Sequence, residues 1–242
     1  MSQFRLLREQ RFRPFFLTQF LGAFNDNLFK NALVVLLTFQ AASWTTIAPA
    51  LLANLAAGIF ILPFFLFSAT AGQLADKYDK ARLTRLVKVL EVAIMLVALA
   101  GFVLHSLAVL LGALFLLGCH STLFGPVKYA LLPQHLHEDE LVGGNALVEA
   151  GTFVAILLGT LAGGMLAAAE HGELWIASAG LVVALTGYLT SRGVPPAPAP
   201  EPGLKVNPNP LTETWRNIGF ARENQPVFLA ILGISWFWLY GA

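Results

Sequence analysis

The stretch PFFLTQFLGAFNDNLFKNALVVLLT, Pro14 to Thr38, is long enough to cross a bilayer and carries charge in its middle. A helix spans the hydrocarbon with roughly 20 residues, and this run exceeds that length. Within it lie Asn25, Asp26, Asn27, Lys30 and Asn31. A charged group at mid-bilayer costs on the order of 2.5–3.5 kcal/mol on insertion scales, so such groups usually face a cavity or a partner. Asp26 and Lys30 are four residues apart on one helical face and can partly neutralise each other. Two readings follow. One reads the pair as a buried brace that fixes helix packing, the other as part of a polar pathway through the membrane, and the density of polar residues favours the pathway.

Composition agrees with a membrane protein. Apolar residues make up 57% of the chain and charged residues only 12%, and the mean hydropathy is +0.69, far from soluble averages. The first apolar stretch is too long for the core of a cleavable signal peptide and has no small-residue cleavage pattern after it. The single cysteine, Cys119, lies in an apolar run and suggests neither a disulfide framework nor a redox role.

Apolar runs place six helices near 14–40, 47–72, 84–105, 107–127, 141–168 and 173–191, with a last run from Pro226 to Ala242. Basic residues orient them. Fourteen of the 15 Lys and Arg flank one set of helix ends, and the fifteenth is Lys30. The opposite connections, near 41–46, 105–107 and 169–173, contain none. The positive-inside rule therefore puts the N-terminus and the connection between helices 2 and 3 in the cytoplasm.

Residues 193–214 hold seven of the chain's 13 prolines, so this segment is expected to be extended and to form no core. Asn209-Pro210 then resembles a helix N-cap followed by proline in the first turn. The organisation expected is a six-helix lobe over 1–192, a proline-rich cytoplasmic linker with a short interfacial helix over 193–223, and the start of a seventh helix over 224–242. The last run breaks off at Leu239-Tyr240-Gly241-Ala242 with no flanking anchor, which reads as a fragment of a longer chain.

A second stretch, GQLADKYDKAR from Gly72 to Arg82, resembles the loop signature between helices 2 and 3 of the major facilitator superfamily. Gly72, Leu74, Asp76, Lys77, Lys80 and Arg82 match it, while Asp79 stands where glycine is usual. An aspartate here can meet a helix N-terminus or an arginine and latch one conformation, and the basic residues can anchor the loop at anionic headgroups. Helix 5 carries two faces. Gly151, Ala155, Gly159, Gly163 and Ala167 form a small-residue stripe suited to close helix crossing. Asn145, Glu149 and Thr152 form a polar stripe, and Gly151 is about 200° around the helix from Glu149. In helix 3, Glu91 needs a partner, and Lys88 three residues away can supply it.

Three blocks carry a closer resemblance, to the lysophospholipid transporter family of the major facilitator superfamily. They are Gln19–Asn27 in helix 1, Gly125–Leu132 at the end of helix 4, and Asn145–Glu149 running on to Ala155–Gly164 in helix 5. The fold class implied is an all-α membrane protein: the N-terminal six-helix lobe of such a transporter plus the start of helix 7. The resemblance implies inward movement of lysophospholipids, mainly lysophosphatidylethanolamine, across a bacterial inner membrane for reacylation by a fused or separate acyltransferase. Alternating access would set this lobe against a second six-helix lobe. Asp26, Asn27, Lys128 and Glu149 match the family pattern. Asp26 or Glu149 suits the headgroup amine, Lys128 or Lys30 its phosphate, and Asn25, Asn27 or Asn145 its hydroxyl and glycerol oxygens. Phenylalanines within 60–67 suit the acyl chain, or equally packing and lipid contact.

Other readings stay beside this one. One is an exporter of drugs or other amphipathic solutes, and another a membrane anchor that feeds an appended acyltransferase. Intramembrane charge favours transport, because an anchor has no need of Asp26 or Glu149. The run HLHEDE, His135 to Glu140, reads as a solvated stretch leading into helix 5 rather than a metal cluster. His120 reads as a hydrogen-bonded histidine at a helix interface rather than a proton relay. No phosphate loop, nucleophile elbow or zinc spacing is present, so no catalytic residue, metal, cofactor or nucleic-acid partner is expected.

Overall fold

The polar block does not interrupt the first helix. In the computed structural model, which describes residues 3–241, α1 runs unbroken over Arg13–Phe39 with proline in its first turn. It is followed by α2 (Pro49–Lys77), α3 (Lys80–Val103), α4 (Leu107–His135), α5 (Leu141–Ala167), α6 (Gly172–Ser191), α7 (Pro210–Glu223) and α8 (Gln225–Gly241). Among the described residues there is no strand. Ala242, the end expected for the last apolar run, lies outside them.

Among the described residues five helices, α2 to α6, are long and apolar enough to cross a membrane, one fewer than the six spans expected. The exception is α1. Its 27 residues suffice in length, but its asparagines and charges lower its hydropathy. Its neighbours account for that polarity, because α1 packs along α5, α6 and α2. The second layer forms from α2 on α4 and from α3 on α4 and α6.

The α1–α5 crossing is close enough to bring backbone against backbone. All five small residues of the α5 stripe are buried, and a methyl group on Gly159 or Gly163 would run into the carbonyl oxygens of Phe24 and Leu28 on α1. In lipid, where apolar burial supplies little drive between helices, such backbone approach supplies the packing.

Helix ends differ from expectation at the basic end of the lobe. The apolar run of helix 2 fades near residue 72, yet α2 continues to Lys77, and α3 begins at Lys80 rather than near 84. Gly72, Asp76 and Lys77 thus belong to the last turns of α2, and the connection is only Tyr78 and Asp79. Nor do all the basic residues reach headgroups: Lys80 and Lys88 are buried. Capping sets the boundary. Asp79 accepts the backbone N–H of Arg82 at 2.8 Å and so closes the N-terminus of α3.

The same carboxylate also holds the proline-rich segment, accepting the N–H of Ala197 at 3.0 Å. Further ties fix that segment as a strap across the helix ends. Lys80 N–H donates to Ala197 O and Glu201 N–H to Asp76 O. Gln134 donates to Pro198 O, and Asn207 N–H donates to Gln73 Oε1 at 2.6 Å. The segment is extended, as its prolines require, but the expectation that it builds no core is corrected: Val194 and Ala197 are buried in a cluster with Phe12, Phe15, Val127 and Val148. Asn209 caps α7 as expected, accepting from Leu211 and Thr212 N–H.

The 135–140 run also departs from a purely solvated stretch. Arg11 donates to both Glu140 oxygens at 2.7 Å. That pairing raises the guanidinium's proton affinity above its ordinary value.

Asp79→Ala removes a helix cap and a strap tie together. The cap alone is worth about 1 kcal/mol. Limited proteolysis is expected to cut within residues 193–207 faster in the variant than in the wild type; equal rates would mean the strap is held without Asp79.

Candidate functional site

Charge in the membrane sorts into two linked groups. The first is fully buried. Asn25 and Glu91 have no exposed surface, Lys88 is 1% exposed and His120 is 2% exposed. Lys88 Nζ donates to Glu91 Oε2, Asn25 Nδ2 donates to Glu91 Oε1 at 2.7 Å, and His120 Nε2 lies 3.4 Å from Glu91 Oε2. Lys88 reaches this position because Gly22 on α1 and Gly187 on α6 leave room for its ammonium. Three helices therefore converge on one carboxylate, and the Lys88–Glu91 pairing read from the sequence is present.

The second group opens to a cleft of about 240 Å³ between α1, α2 and α4, whose lining includes Asp26, Phe64, His120, Ser121, Lys128 and Tyr129. Ser121 Oγ donates to Asp26 Oδ2. The other oxygen, Oδ1, is buried without a hydrogen-bond partner and faces His120 Nδ1 at 3.8 Å. An unmet carboxylate oxygen beside a cavity is an invitation to a donor, because burying it unpaired costs about 1–3 kcal/mol or more. At the cleft's other end Lys128 Nζ donates to Thr152 Oγ1 at 3.1 Å, lies 3.9 Å from Glu149 Oε1, and sits over the Tyr129 ring. Tyr129 OH donates to Glu149. Glu149 keeps 40% of its side chain exposed, so this pair is partly screened.

Of the six residues singled out for binding, the structure brings Asp26 and Lys128 into one cleft and places Glu149 directly behind Lys128. The others are elsewhere. Asn27 is buried towards α5 and donates to Ala23 O within its own helix. Asn145 likewise donates to Leu141 O. Lys30 lies over the Phe60 ring, 5.1 Å from its centroid, and among the described residues it forms no ion pair with Asp26. That four-residue pairing is replaced by Ser121 and His120, which reach Asp26 from α4. Sequence reading missed Ser121 and Tyr129 and undervalued His120. The available signal was depth: His120 lies in the same membrane level as Asp26 and Glu91, and a titratable residue there rarely lacks a charged neighbour.

A multi-pass helical lobe with a charged cleft opening between its helices is the architecture of half a solute carrier. The chain belongs to the major facilitator superfamily, whose family model matches residues 15–242. Similar proteins sharpen the comparison. The chain is 32% identical over 228 residues to the lysophospholipid transporter LplT of Serratia proteamaculans (strain 568), covering 91% of this chain and 52% of that protein. It is 30% identical over 226 residues to the LplT of Escherichia fergusonii, with the same coverage. The LplT of Enterobacter sp. (strain 638) is 29% identical over 230 residues, again over 91% of this chain and 52% of the relative. The chain thus spans about half the length of the curated relatives it matches.

Proposed function

We propose that this lobe binds the headgroup of a lysophospholipid and moves it inward across the bacterial inner membrane. The observation that carries the reading is the cleft in which Asp26 and Lys128 both stand. A zwitterionic headgroup needs an acceptor for its ammonium and a cation for its phosphate, held apart, and the two residues supply that pair. The unpartnered Asp26 Oδ1 gives the ammonium a place to donate. Phe64 in the cleft wall, with Phe60 nearby under Lys30, continues from the charges into an apolar path for a single acyl chain. Lysophosphatidylethanolamine fits this arrangement of groups.

In this reading the N-terminus is cytoplasmic, and a second six-helix lobe completes the site by rocking against this one. The strap of residues 193–207 and α7 then form the cytoplasmic connection between lobes. Reacylation of the delivered lipid falls to an acyltransferase, fused or separate. Asp76 and the basic residues around it form the latch at the cytoplasmic end.

Uptake of labelled lysophosphatidylethanolamine into spheroplasts expressing the full-length protein tests the reading. Asp26→Ala is expected to lower uptake by about tenfold or more, the scale of one charge-assisted hydrogen bond, at unchanged membrane abundance. Lys128→Ala is expected to act in the same direction. No uptake by the wild type would sink the lysophospholipid assignment; unaltered uptake by Asp26→Ala would reduce Asp26 to a packing residue.

A further inference from the structure

One side chain belongs to both charged groups. His120 turns one ring nitrogen towards Glu91 in the buried group and the other towards Asp26 in the cleft. Glu91 does not need it: Lys88 neutralises that carboxylate and Asn25 donates to it. Positive charge on the imidazole, shared with Glu91 at 3.4 Å, therefore also reaches Asp26, whose own hydrogen bond comes from the hydroxyl of Ser121. We propose that His120 sets which lysophospholipid headgroups the cleft accepts, by competing with the headgroup ammonium for Asp26. The proposal rests on the lysophospholipid reading above and adds a selectivity device to it.

The surroundings of His120 are defined on every side. From α1 come Asp26 and, a turn further along, Lys30, which is held over Phe60. From α3 come the paired Lys88 and Glu91. From α4 itself come Ser121 and, two turns on, Lys128, behind which stands Glu149 of α5. The wall from α2 is apolar at Phe64. A neutral imidazole leaves Asp26 Oδ1 open to a headgroup ammonium. A charged imidazole 3.8 Å from Oδ1 forms that ion pair internally, so an ammonium gains less by entering. An ethanolamine headgroup carries such an ammonium, whereas a glycerol headgroup carries hydroxyls and no cation. Protonation of His120 thus shifts preference away from ethanolamine and towards glycerol headgroups. Histidine is the side chain whose ordinary charge change falls in the physiological range, so pH is the variable that tests the competition.

The experiment compares uptake of lysophosphatidylethanolamine and lysophosphatidylglycerol, each alone, by the full-length protein at about pH 6 and about pH 8, the range over which histidines titrate. In the wild type the ratio of ethanolamine to glycerol lipid is expected to rise about fivefold with pH, the low end of the coupling one group exerts on binding at another. In His120→Gln the ratio is expected to be flat and close to the wild-type value at the higher pH. A flat ratio in the wild type, or an unchanged slope in the variant, overturns the role of His120. The wild-type slope decides the matter by itself should the variant not accumulate. Absence of uptake of both lipids at either pH would instead sink the lysophospholipid reading beneath it, so the two failures are distinct.

Discussion

Glu91→Ala is expected to remove most folded protein from the membrane, while the double variant Lys88→Met/Glu91→Leu is expected to bring it back. The argument starts from burial: neither side chain has meaningful contact with solvent. Removing one partner leaves an uncompensated charge in the lobe interior, which costs about 3–5 kcal/mol. Folding free energies are only about 5–15 kcal/mol, so that loss is a large share of the total. Replacing both charges by apolar side chains of similar volume is often neutral or stabilising, because the desolvation penalty disappears with the attraction. Here recovery should stop short of the wild type. Asn25 donates to Glu91 in the native lobe, and in the double variant that amide is left unmet at about 1–3 kcal/mol. Thermal unfolding of purified protein in detergent orders the three species. A Glu91→Ala protein as stable as the wild type, or a double variant no better than the single, would refute the assignment of Glu91 as a paired interior charge.

Much of this lobe is legible in the chain because lipid makes the rules simple. Apolar runs locate the six long helices of the lobe, and Asn209 before Pro210 correctly marks the start of α7. The small-residue stripe of α5 identifies its packing face before any partner is known. Helix ends are less legible. Gly72 to Arg82 reads as a loop because its residues are charged, yet charge outside the hydrocarbon does not stop a helix; the caps do, and Asp79 sits at the cap. The site is legible by residue type but not by partner. Local spacing joins Asp26 to Lys30, whereas the structure joins Asp26 to Ser121 and His120, 95 residues away for Ser121. Asn27 and Asn145 look like ligands in sequence, but an asparagine in a membrane helix can satisfy itself on a carbonyl of the preceding turn, and both do. What one chain read alone lacks is which helices lie side by side and at what relative depth. That is also what decides whether an intramembrane charge faces a cavity or an opposite charge.

Depth matching in turn depends on how closely α1 can approach α5, and this gives the second large effect. Gly163→Ala is expected to destabilise the protein by about 1–3 kcal/mol, the usual cost of overpacking a fitted interior. The same change one residue later, Gly164→Ala, should stabilise it by about 0.5–1 kcal/mol through helix propensity. The contrast follows from geometry. A methyl group at position 163 meets the Leu28 carbonyl and comes within 3.1 Å of the Ala32 nitrogen, both of them α1 backbone that cannot rotate away. A methyl group at position 164 meets nothing within 4 Å. Adding Gly159→Ala to Gly163→Ala widens the gap further, since its methyl meets the Phe24 carbonyl one turn away. The gap has a consequence for the cleft, because α1 carries Asp26 and α4 carries Ser121 and His120. Forcing α1 off α5 shifts Asp26 against α4, so lysophospholipid uptake should fall in the 159/163 double variant beyond the loss in protein level. Thermal unfolding of Gly163→Ala and Gly164→Ala side by side checks the sign. Shifts of the same sign in both would mean that the α1–α5 approach is not what holds α1, and with it Asp26, in place.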